Sequence, residues 1–192
     1  MSEFWLYLKL GLEHVLDWKA YDHILFLVAL CTPYTISSWK RLLVLVSLFT
    51  LGHTASLLLA GYQVVSVSSA WIEFLIPITI FIAAMFNIFG AGRRGTSEKI
   101  GLLYLVTIFF GLIHGFGFAS YYEFINDEGG ALPLVAFALG IELSQVIIVF
   151  VVLILAFIFQ SIFRFNKRDW ALVISSIVIG MVIPMLIENW IF

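Results

Sequence analysis

Four histidines, His14, His23, His53 and His114, and three acids, Asp17, Asp22 and Glu142, stand within or at the edges of stretches that are otherwise nearly all apolar. An ionisable side chain in hydrocarbon is costly, about 2.5–3.5 kcal/mol for an Asp at a helix centre on insertion scales. Such groups turn toward a bundle interior, where they mark a site or pathway or tie two helices by a hydrogen bond. A tie would explain any one of them; together they favour a shared site. Neutral imidazole nitrogens with carboxylate oxygens form a donor set for Zn²⁺, Ni²⁺, Co²⁺ or Fe²⁺. His23, His53, His114, Asp22 and Glu142 are the candidate ligands, with His14 assigned to the entrance. Asp22 and His23 are neighbours, so on a helix they point about 100° apart, and one ion need touch only one of them. Gln145 follows Glu142 by three residues and is placed to orient its carboxylate. Ser56 stands one turn beyond His53 on nearly the same face. Gly111, Gly115 and Gly117 surround His114, a small-residue run that admits a neighbouring backbone with or without a site there.

Bringing these groups together requires membrane-spanning elements. Of 192 residues, 62% are hydrophobic and only 11% charged, where a soluble domain is about a quarter charged. A spanning helix needs about 20 apolar residues. Runs of that kind cover Leu6 to Leu30, Leu42 to Tyr62, Trp71 to Phe89, Ile100 to Tyr121, Leu132 to Phe159 and Trp170 to Ile191. They are continuous rather than alternating with period two, which favours helices strongly over a barrel. The expectation is all-α: a bundle of about six transmembrane helices, with residues 1–192 forming one transmembrane domain. Turn chemistry separates the runs at Thr32-Pro33, Gly90-Ala91-Gly92, Asp127 to Gly130 and Asn166 to Asp169. Net charge is −2, which points away from nucleic acid. Cys31 is the only cysteine, so no intrachain disulfide can form. The start, Met1-Ser2-Glu3-Phe4, lacks the basic stretch of a secretory signal and reads as mature sequence.

Loop charge predicts the orientation. Lys40 and Arg41, then Arg93, Arg94 and Lys99, then Arg164, Lys167 and Arg168 mark the odd-numbered connections, while the even-numbered ones hold no Lys or Arg. By the positive-inside rule the odd connections are cytoplasmic and both termini are outside, in a bacterial inner membrane. Trp5, Trp18, Trp71 and Trp190 then form an outer aromatic belt. At about 1.5 Å per residue, Asp22-His23, His53, His114 and Glu142 fall in one layer of the outer half. The first run is irregular, because Glu13, His14, Asp17, Lys19, Asp22 and His23 crowd into it. Either Ser2 to Trp18 lies along the interface, or a long span turns this face into a polar cavity. Glu73 and Glu188 read as solvated span ends, and Asn87 as a packing or capping residue.

The sequence resembles the HupE/UreJ family of hydrogenase and urease accessory membrane proteins. Carrying the resemblance are Gly11-Leu12-Glu13-His14, Tyr21 to Phe26, Phe49 to Leu57, Gly111 to Ala119 and Gly140 to Gln145. It implies a multi-pass protein that carries nickel or cobalt toward metalloenzyme assembly proteins. A His-rich concentrating tract is absent, which leaves nickel, cobalt and zinc open. The leading expectation is a divalent transition-metal permease or intramembrane metal-binding protein, with metal ion and bilayer as partners. The inner halves of the second, fourth and fifth spans are almost wholly apolar, an objection to a polar pathway. That objection favours an intramembrane zinc hydrolase acting on a lipid or lipid-linked substrate. In it a metal-bound water attacks, Asp22 or Glu142 serves as base, and Ser56 stands nearby. The third alternative is a structural membrane subunit.

Overall fold

The computed structural model describes residues 2–19, 21–65, 67–91, 100–125 and 131–191. Among the described residues seven α-helices follow in order: α1 (Glu3–Leu16), α2 (Asp22–Cys31), α3 (Trp39–Gly61), α4 (Ser69–Gly90), α5 (Ile100–Ile125), α6 (Ala131–Phe157) and α7 (Lys167–Glu188). A 3₁₀ turn leads into α3 and a π turn, Ile158–Ile162, ends α6. The helices α3 to α7 are long and apolar enough to cross a bilayer, and the chain is an all-α polytopic membrane protein. Large apolar side chains such as Leu51, Phe86, Leu105 and Ile147 are at least half exposed. A bundle bathed in acyl chains tolerates so much exposed apolar surface; a soluble monomer does not. The turn at Gly92 and the acidic connection from Asp127 to Gly130 lie outside the described residues, as do Arg93, Arg94 and Lys99.

The expected first span is instead two short helices of 14 and 10 residues. Asp17 causes the break. Its backbone is extended (φ −65°, ψ 109°), and its Oδ1 accepts the backbone N–H of Lys19 at 2.9 Å. An Asp closing such a local turn competes with the helical ladder. Neither half lies merely on the surface. Tyr7, Leu8, Gly11 and Val15 of α1 are buried against α6, while Lys9 and Glu13 pair at 3.4 Å on the exposed face. Almost all of α2 is buried, including Leu25, Phe26, Leu27 and Ala29.

Four glycines draw two helix pairs into backbone contact. A methyl group at Gly11 would run into the carbonyl oxygen of Phe137, and one at Gly140 into that of Leu8. The same holds between α3 and α5, where Gly52 meets the Ile108 carbonyl and Gly111 that of Phe49. Within each pair the helices are parallel: Gly140 lies on Leu8 and Ser144 Oγ 3.2 Å from the Leu12 carbonyl. Likewise Gly111 lies on Phe49 and Gly115 on His53. Small residues that let backbones touch are the usual means of helix association in lipid, where apolar burial provides little drive. The remaining long helices, α4 and α7, pack against each other. At the ends of α7, Asn166 caps by accepting the Asp169 backbone N–H at 2.8 Å, and Trp190 meets the Phe74 ring edge-on at 5.6 Å.

Candidate metal centre

The break between α1 and α2 sets the site. It brings His14, near the end of α1, beside His23, in the first turn of α2, with ring centroids 4.6 Å apart. His53 on α3 lies 5.8 Å from His23 and 5.5 Å from His14. His114 on α5 lies 5.2 Å from His23. His23 is thus the hub of two overlapping triads, His14-His23-His53 and Asp22-His23-His114. Within each, one ligand atom per residue can be chosen so that all lie within 4.8 Å of one another. His23, His53 and His114 are buried and His14 is partly so. Four aromatic rings wall the cluster. Phe118 stacks on Phe137 at 5.1 Å and lies 3.9 Å from His14, while Phe49 and Phe26 stand 5.2 and 5.4 Å from His114.

Hydrogen bonding decides which nitrogens are free. Asp22 Oδ1 lies 3.3 Å from His23 Nδ1. A carboxylate only accepts, so the imidazole donates from Nδ1 and presents Nε2 as a lone pair. His114 Nε2 lies 3.1 Å from Thr79 Oγ1, which donates its single proton to the Ile76 carbonyl at 2.7 Å. His114 therefore donates from Nε2, leaving Nδ1 as its lone pair. Those two nitrogens, His14 Nε2 and both nitrogens of His53 are buried without a hydrogen-bond partner. Buried polar atoms are normally paired; unpaired lone pairs converging from several elements suit a cation. Supporting bonds from a carboxylate or hydroxyl to the far ring nitrogen are how metal-binding imidazoles are oriented.

His14, His23, His53, His114 and Asp22 are thus brought together, and His14 is within the cluster as much as at its entrance. Glu142 belongs to neither triad. It accepts from Ser47 Oγ at 2.5 Å and from Thr50 Oγ1 at 2.7 Å, both on α3. Ser47 and Thr50 precede His53 on α3, so this polar group lies toward the N-terminal end of that helix, below the histidines. Depth counted from the sequence does not resolve one helical turn. Gln145 does not bond Glu142 directly; its Oε1 lies 3.2 Å from Thr50 Oγ1, which lies between the two. Ser56 Oγ donates to the His53 carbonyl at 2.7 Å and faces Gly115. Asp17 is spent on the α1–α2 turn. Sequence reasoning passed over Thr79, Ser47 and Thr50, because a hydroxyl on an apolar helix usually bonds its own backbone, as Thr107 does to Leu103.

A recess at one end of the bundle reaches Asp22, the one member of the cluster on its wall. Lys19, Tyr21, Glu73, Pro77, Met185 and Glu188 line it with Asp22. Glu73 and Glu188, expected as solvated span ends, are exposed and line it.

The family model described as HupE / UreJ protein matches residues 1–191. The chain belongs to the HupE/UreJ family. Comparisons with curated proteins and with solved structures returned no match. Three of the four His-bearing blocks of this HupE/UreJ protein, Gly11 to His14, Phe49 to Ser56 and Gly111 to Gly117, thus hold both metal-type donors and glycine crossings that seat them, while Tyr21 to Phe26 supplies Asp22 and His23 without a glycine.

Proposed function

We propose that this HupE/UreJ protein binds a divalent transition cation of the nickel and cobalt type between its histidines and carries it across the membrane. One observation carries the reading: buried imidazole nitrogens from four helices converge without partners, two of them with tautomers set by Asp22 and Thr79. Nitrogen-rich sites of this kind suit Ni²⁺, Co²⁺ and Zn²⁺ over Mg²⁺ or Ca²⁺, which prefer oxygen ligands. In the recess three carboxylates, Glu73, Asp22 and Glu188, outnumber the one ammonium, Lys19, which favours the approach of a cation. Glu142 with Ser47, Thr50 and Gln145 is, in this reading, the next polar group that a cation meets beyond the histidines. In this reading the recess faces outward, both termini lie outside the bacterial inner membrane, and metalloenzyme assembly proteins receive the ion inside.

A zinc hydrolase finds less support. Ser56 Oγ is engaged by a backbone carbonyl and Glu142 by two hydroxyls, which leaves Asp22 as the one candidate base beside the imidazoles. The test is elemental analysis of protein purified without a His tag, followed by Ni²⁺, Co²⁺ and Zn²⁺ uptake into proteoliposomes. Stoichiometric metal with saturable uptake is expected. Protein that binds no metal at pH 7.5 overturns the site, and bound metal without uptake overturns the carrier.

A further inference from the structure

The glycine crossings of the two helix pairs meet corresponding backbone oxygens. A methyl group at Gly140 would meet the Leu8 oxygen and the Leu12 nitrogen; at Gly52 it would meet the Ile108 oxygen and the Leu112 nitrogen. Gly11 faces the Phe137 oxygen as Gly111 faces that of Phe49. The correspondence sets α1 on α5 and α3 on α6, and the residues follow it. Gly11-Leu12-Glu13-His14 matches Gly111-Leu112-Ile113-His114, while Phe49-Thr50-Leu51-Gly52 matches Phe137-Ala138-Leu139-Gly140, with Ser56 answering Ser144. Ring contacts follow it too: His14 lies 5.9 Å from Phe137, and His114 lies 5.2 Å from Phe49.

The two pairs run in opposite directions. On α3, His53 lies against Phe137 of α6, while the earlier Thr50 and Ser47 meet the later Glu142. Numbers fall on one helix as they rise on the other. Chain order agrees, since α1 precedes α3 as α5 precedes α6, and each unit ends on one member of the α4–α7 pair. These last two helices are antiparallel, with Glu73 and Ile76 of α4 beside Glu188 and Met185 of α7 in one recess. The symmetry is broken after α1, where α5 is continuous, and at His53, whose counterpart on α6 is Ile141. Each α1–α6 and α3–α5 pair joins one helix from each unit, so the units are interlocked.

We infer that α1–α4 and α5–α7 are two repeats of opposite orientation, related by a two-fold axis through the histidine cluster, and that the cluster opens alternately to the two membrane faces as the α1/α6 pair rocks against the α3/α5 pair. A site between inverted repeats sees the same architecture toward either face, so one conformation exchanged between the repeats generates the opposite opening. Alternate opening rests on the carrier reading above; the repeats themselves do not.

Spin-label distance measurements on the full chain in nanodiscs test this, in a Cys31→Ser background. One pair, Trp5→Cys with Tyr62→Cys, spans the two helix pairs at one end. The other, Lys40→Cys with Phe157→Cys, spans them at the opposite end, and all four positions are exposed. Each sample is measured without metal and with Zn²⁺, and its bound zinc is assayed. The expected result is two populations whose balance shifts in opposite senses at the two ends, one distance lengthening as the other shortens. If zinc binds and both distances stay fixed, or both move the same way, the inference is overturned while the metal site stands. If no zinc binds, the metal reading fails; opposed populations without metal still support rocking, and a single fixed distance at each end overturns it.

Discussion

Thr79 on α4 holds His114 on α5: its Oγ1 lies 3.1 Å from the imidazole Nε2 and hands its own proton to the Ile76 carbonyl. One hydroxyl thereby fixes which nitrogen of His114 faces the cluster. Thr79→Val keeps the side chain's shape and removes this control. Metal affinity is expected to fall about 10- to 100-fold, with Thr79→Ser close to the parent. Calorimetric titration of purified protein measures it; an unchanged affinity in Thr79→Val refutes the role given to Thr79.

His53→Ala and His114→Ala are each expected to lower bound metal while leaving membrane-inserted protein at near-normal yield. Their imidazoles carry unpartnered nitrogens, so removing them relieves a polar burden even as it opens a cavity. If the histidines served packing alone, the variants would be unstable and the parent free of metal. Stoichiometric metal retained in His53→Ala/His114→Ala would defeat the assignment.

Glu142→Gln separates binding from passage. Its hydrogen bonds run to Ser47 and Thr50 on α3 rather than to any imidazole. Equilibrium metal binding should be unchanged and the maximal uptake rate in proteoliposomes reduced. A variant that loses metal instead would move Glu142 into the ligand set.

Acid should release the ion. An imidazole must be neutral to bind a cation, so metal and protons compete and occupancy falls as pH drops. Equilibrium dialysis with Ni²⁺ across pH 8 to 5 checks the sign, and binding that strengthens toward acid would exclude histidine ligation.

Gly11→Ala, Gly52→Ala, Gly111→Ala and Gly140→Ala should each destabilise the bundle by about 1–3 kcal/mol or more, as overpacking does. Each added methyl meets a backbone oxygen that cannot turn aside. Gly61→Ala is the control, since nothing lies within 4 Å of the added atom; it should be neutral or gain up to about 1 kcal/mol from helix propensity. Reversible unfolding in mixed micelles compares them, and equal effects at Gly61 and Gly11 would contradict the packing described.

Most of the bundle could be read from the chain because lipid enforces a simple rule: continuous apolar runs become helices of nearly fixed length. The family resemblance and the clustered histidines were legible for a related reason, since an imidazole in hydrocarbon has few uses. The break at Asp17 was not legible, because a run of apolar residues with scattered charges fits one long tilted helix as well as two short ones. Nor was the separation of Glu142 from His53, which depends on the rotation and stagger of α6 against α3. The parallel between Gly11 and Gly111 rests on a handful of shared residues and becomes visible only when each glycine is seen against its partner.

The split first span also has a consequence for how the protein is made. Neither α1, with 14 residues, nor α2, with 10, approaches the roughly 20 apolar residues of a self-sufficient span. The backbone that seats α1 through Gly11 is that of α6, which begins at Ala131. Docking of α1 is therefore expected to be a late step of biogenesis, after more than half the chain has been made. The histidine that α1 contributes, His14, joins the cluster only with that step, so the ion-binding site is completed late.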